Sequence, residues 1–125
     1  MADMKTQPNR VLHPPHPTTY VQMEILGEHV DIQWYPESMM NGNYGSCHTE
    51  DREIRIRNSL AAQQCLDTLL HEVNHYISER CNIDLTEHQV HILGMAWANI
   101  FQANPELLGF IAERTTEEDE RRVKR

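Results

Sequence analysis

Cysteine is scarce in this chain. Cys47, Cys65 and Cys81 are odd in number, widely spaced and show no CxxC pattern, so neither a zinc ribbon nor a redox pair is signalled. Such usage fits a reducing, cytoplasmic setting, with Cys65 and Cys81 expected as small buried hydrophobes on one helix. Long apolar runs are also missing. None approaches the roughly 20 residues that span a bilayer, and MADMKTQPNRVLHPPHPTTY lacks the apolar stretch of a secretory signal. Basic residues are outnumbered, 11 Lys and Arg against 19 Asp and Glu, for a net charge of −8. That balance argues against a nucleic-acid backbone as partner. The two small basic groups, Arg52/Arg55/Arg57 and the terminal RRVKR, are expected to be solvated faces.

What is present fits one domain with a modest core. Residues 1–19 hold four of the six prolines and are expected to form an extended leader. Residues 114–125 are nearly all charge and are expected to be a flexible tail. Between them, over residues 20–113, YVQMEIL and HVDIQWY alternate as a hairpin would around Gly27-Glu28. A turn-rich loop, NGNYGS, precedes REIRIRN, whose Ile54 and Ile56 have strand period. Asn58 or Ser59 can cap a helix from Leu60 to Arg80, with Leu66, Leu69, Leu70, Val73 and Ile77 at helical spacing and Asn82 as its stop. Thr86 and Gln89 have capping-box spacing and open a second helix with Val90, Leu93, Trp97, Ile100 and Phe101 as its apolar stripe. A short third helix, PELLGFIAER, follows. The order predicts an α+β fold, a small antiparallel or mixed sheet with helices packed on one face.

The chemistry is concentrated in 71-HEVNH-75. On a helix, His71 and His75 lie one turn apart and can converge on one ion, as HExxH motifs do for zinc. Glu72 lies about 100° round from His71. That places it near the ion without ligating it, which suits a general base taking a proton from water as the water attacks a carbonyl. Flanking Thr68, Leu69, Tyr76 and Ile77 carry no charge, as a helix meeting a core requires. The bland alternative is a pair of surface histidines on an amphipathic helix. A catalytic zinc usually has three protein ligands, and the short link from Arg80 to Thr86 folds the second helix back on the first. Glu87, three residues before Val90 on the inward stripe, is the preferred third ligand. His88 and His91 are the alternatives, and an acid favoured by the helix dipole is the plain reading of Glu87.

The segments LDTLLHEVNHYI and LTEHQVHILGMAWANIFQANPEL resemble the small zincin-like metallopeptidases of bacteriophages and prophages. More distantly they are similar to minimal gluzincins of the SprT and ImmA/IrrE kind. The resemblance covers about residues 20–110, including the NYGS…IRI strands. It implies a zinc-dependent peptidase acting on a protein or peptide in the bacterial cytoplasm. SprT-type proteins commonly add a zinc ribbon for DNA, which this chain lacks, so no nucleic-acid partner is expected; no membrane partner is expected either, and the chain is expected to be a monomer. An acid near the start of the second helix completes the site in that family, which supports Glu87. Members often carry two acids in succession there, whereas this chain has His88 in the second position. Such proteins hold substrate as an added strand on the sheet edge, which here implies Tyr44–His48. Tyr44, His48 and His91 are then candidates to stabilise the developing oxyanion. The alternative function is a catalytically weak or inactive zincin-like domain serving as an interaction or regulatory module in phage biology.

Overall fold

Alternating apolar side chains build the sheet on which everything else rests. In the computed structural model, which describes residues 21–123 and the side chains of residues 21–114, β1 (Gln22–Ile25) and β2 (Glu28–Tyr35) form an antiparallel hairpin. Its two-residue turn is Leu26-Gly27, both at positive φ (51° and 82°), as a twist-matched hairpin turn needs. The turn therefore sits one residue earlier than the expected Gly27-Glu28, because Gly27 fills its second position. β3 (Gly45–His48) runs antiparallel to β4 (Glu53–Arg57), and β4 lies parallel to β2, giving the order β1-β2-β4-β3. The sheet is mixed, and β3 is an edge.

Val30, Ile32 and Trp34 of β2 and Ile54 and Ile56 of β4 point to one face and are almost fully buried. Each such side chain contributes about 1.5–3 kcal/mol relative to exposure. On the other face Arg55 pairs with Glu53 and lies over Tyr35, while Arg57 pairs with Glu37 and lies over Tyr44. With Arg52 on Glu28, every arginine of this basic group has an acidic partner.

The first helix, α1 (Ala62–Arg80), lies across β3 and β4. It starts later than expected and has no side-chain cap. The Asn58 N–H donates instead to Tyr35 O at 2.8 Å, prolonging the sheet, and Leu60 is drawn into the core. The other end stops where the sequence indicated. Asn82 is left-handed (φ 54°), its N–H reaches Glu79 O, and the Ile83 N–H reaches Ser78 O, a Schellman arrangement. Cys65 packs against the core, but Cys81 caps the helix and is exposed, contrary to expectation.

The line of α1 buried against the sheet is Thr68, Glu72, Tyr76, at successive intervals of four, with Leu69, Val73 and Ile77 beside it. Tyr76 donates to Glu28 Oε1 at 2.8 Å; Arg80 and Arg52 pair with the same carboxylate, at 2.8 and 3.2 Å. The Tyr76 hydrogen bond and the arginines lower the Glu28 pKa from its ordinary value. This hub fixes the axial position of α1 on the hairpin.

The second helix, α2 (Glu87–Ala103), opens with the expected capping box between Thr86 and Gln89 and packs along α1. Its buried line is Val90, Gly94, Ala98, whereas Leu93, Trp97 and Ile100 of the expected stripe remain 37–46% exposed. Small residues decide this. A Cβ on Gly94 would stand 3.3 Å from the His71 backbone nitrogen, so the two helices approach closely only along that line. α3 (Glu106–Val123) is 18 residues long. It exceeds the expected short helix and takes in most of the stretch read as a charged tail. Residues 1–19, read as a leader, lie outside the described residues. Among the described residues no helix is long and apolar enough to cross a membrane.

Candidate metal centre

Helical spacing and the fold-back of α2 bring three side chains together. His71 Nε2 lies 2.7 Å from one carboxylate oxygen of Glu87, and His75 Nε2 lies 3.0 Å from the other. The two imidazoles meet edge to face with centroids 4.9 Å apart. One ligand atom from each of the three residues falls within a 4.8 Å sphere of separations, so the group can hold a metal ion. The histidines are half-buried where α1 meets the cleft, and Glu87 reaches them from the exposed first turn of α2. The donor set, two neutral nitrogens and one carboxylate oxygen, suits a divalent ion of intermediate softness.

Glu72 turns the other way, toward the sheet, and is only 7% exposed. Burial first, and the Glu87 charge second, push its carboxyl up to about 7. Gly45 makes this position possible. A Cβ there would stand 2.6 Å from Thr68 Cγ2 and 3.1 Å from Glu72 Oε2, so only glycine lets the edge strand rest against the carboxylate. The resulting cleft, of about 650 Å3, runs from Gly42–Gly45 past Gln64 and Asp67 to His71, Glu72, His75, Glu87 and His91.

The remaining candidates separate clearly. His91 lines the cleft, its ring centroid 6.1 Å from that of His71. Tyr44 borders the cleft, but its ring lies under Arg57 on the sheet face away from α1, so it does not take the oxyanion position expected from the sequence. His48 does not reach the cleft; it sits at the far end of β3 with Nε2 3.0 Å from Ser46 Oγ. Nor does His88 join the group, since one residue beyond Glu87 turns its side chain about 100° away. Cys47 offers no thiolate, because burial pushes its thiol up to about 11.

Sequence reasoning missed Gly45, Gly94 and Asp67. An isolated glycine within an apolar helical pattern is a usable signal of close backbone approach, and Gly94 carries it. Nothing local marks Gly45 as the neighbour of Glu72. Comparison with protein-family models, curated proteins and solved structures finds no match to the chain.

Proposed function

We propose that this protein is a zinc-dependent peptidase that hydrolyses an amide bond in a protein or peptide. One observation carries the reading: a buried carboxylate, Glu72, stands beside a His–His–Glu group at the floor of an open cleft. His71, His75 and Glu87 would hold the ion, and the nitrogen-rich donor set favours zinc over magnesium or calcium. Bound zinc supplies Lewis acidity and brings the pKa of water down toward about 7. Glu72 would take the proton of the attacking water and deliver it to the departing amine, the role of a general base and then acid. His91 lines the cleft beside His71, where it can donate to the oxygen of the tetrahedral carbon. Among the described residues, β3 leaves one edge without a strand partner. An extended substrate can pair there by backbone hydrogen bonds, whatever its side chains.

The test is cleavage of a denatured, unstructured protein by the full chain with zinc supplied. Proteolysis that a chelator abolishes and added zinc restores is the expected result. Cleavage indifferent to the chelator, or none with zinc bound, contradicts the proposal.

A further inference from the structure

Three carboxylates line the cleft, Asp67, Glu72 and Glu87, and no Lys or Arg does. Glu87 meets the two histidines, and Glu72 is buried against the edge strand. Asp67, half-buried and one turn before His71 on α1, has neither role. The ordinary reasons for an acid on a helix do not apply to it. It is the sixth residue of α1, past the first turn in which the helix dipole favours a carboxylate. Among the described residues it forms no ion pair, since Arg52, Arg55, Arg57 and Arg80 are taken by Glu28, Glu53 and Glu37, and Arg114 lies over Phe110. Nor does it orient a ligand, because the ion-pair contacts of His71 and His75 are with Glu87. It is not a second metal site either, for it joins no convergent group of three ligand atoms among the described residues. What holds it is neutral. Asp67 Oδ1 accepts from Gln63 Nε2 at 3.0 Å, and Gln102 of α2 donates in turn to Gln63. The carboxylate is thus positioned without being neutralised. We propose, on the peptidase reading above, that Asp67 makes the cleft selective for substrates with a Lys or Arg side chain within about two residues of the cleaved bond.

Helix and strand geometry set the distance. Four residues of α1 advance about 6 Å, and an extended peptide advances about 3.3 Å per residue. With the cleaved bond over His71, a substrate residue about two places along therefore stands over Asp67. Pairing along β3 reads only backbone, so selectivity falls to the side chains that line the cleft. An ammonium or guanidinium that meets the Asp67 carboxylate gains a charge-assisted hydrogen bond. A carboxylate at the same place meets a like charge and loses by it.

Two measurements on the full chain separate this proposal from the peptidase reading. In the first, zinc is supplied, a denatured protein is digested and the cleaved bonds are mapped by mass spectrometry. Bonds with Lys or Arg within about two residues are expected to be cut about tenfold faster than bonds with Asp or Glu there. Asp67→Asn is expected to erase most of that difference and Asp67→Arg to reverse it, with zinc content unchanged. Asp84→Asn, at an exposed acid outside the cleft, is expected to leave it. In the second, fluorescence anisotropy follows labelled alanine–serine peptides, carrying one central lysine or one central glutamate, on metal-free protein. The lysine peptide is expected to bind about tenfold tighter to wild type, and Asp67→Asn to bind the two alike. Cleavage with no preference for basic side chains, or a preference that survives Asp67→Asn, overturns the proposal and leaves the peptidase reading standing. Without any cleavage that reading fails and anisotropy decides. A lysine preference that Asp67→Asn removes then upholds the selectivity of the cleft, and equal binding of the two peptides to wild type overturns it.

Discussion

Glu72→Gln is expected to keep one metal ion per chain and to lose about three orders of magnitude in turnover. The substitution preserves shape and removes only the ability to accept a proton. His71, His75 and Glu87 are untouched, so metal content separates loss of the base from collapse of the site. The same variant carries a second signature in metal-free protein. The folded chain holds the Glu72 carboxyl at about 7 against an ordinary 4.5, so it binds an extra proton between those values. The unfolded chain does not. Wild-type stability contributed by this group is therefore present below about pH 4.5 and is lost as pH rises through 7, by up to about 3 kcal/mol. Denaturant titrations at pH 4.5 and pH 8 are expected to show Glu72→Gln gaining on wild type by that order as pH rises. A difference that stays flat with pH means the carboxylate is not desolvated, and full turnover in the variant means that another group is the base.

Gly45→Val is expected to lower stability and turnover together. The first added carbon already collides with Thr68 Cγ2, and Thr68 is buried and β-branched, so it cannot swing aside. Either β3 or α1 must move. Overpacking of this kind costs about 2–3 kcal/mol, which lowers the Tm of a domain of this size by roughly 10–20 °C. The displacement falls on Glu72, not on the ligands, which stand on the α1–α2 side. Turnover is therefore expected to fall much further than metal affinity. Thermal melting, metal titration and cleavage on one preparation check this. An unchanged melting temperature would show that the strand does not rest on the helix.

These two residues also show why the fold was easier to read than the site. The capping box of Thr86 and Gln89, the stop at Asn82 and the strand period of Ile54 and Ile56 are local properties, set by residues within a few positions of one another. His71 and His75 are legible for the same reason, because one helical turn fixes their relation. Glu72 is different. Its helical position says that it stands off the ligand line, but its burial depends on a glycine 27 residues upstream, on an edge strand that pairs with β4. The buried line of α2 was misplaced because apolar periodicity weighs Leu93 and Trp97 above Gly94 and Ala98. Backbone proximity to α1 favours the small residues. The length of α3 was underestimated because its Glu and Arg run was weighed as charge, although both residue types have good helix propensity.

Three side chains converging on one ion define the metal centre, and its most direct measurement is a zinc titration of untagged protein by calorimetry, repeated on four variants. Wild type is expected to bind one zinc per chain. His71→Ala, His75→Ala and Glu87→Ala should each weaken binding by about a hundredfold or more, while His88→Ala leaves it unchanged. Wild-type affinity in Glu87→Ala, or loss of binding in His88→Ala, would contradict the assignment of the third ligand. Failure of the wild-type chain to take up zinc at all would remove the metal centre.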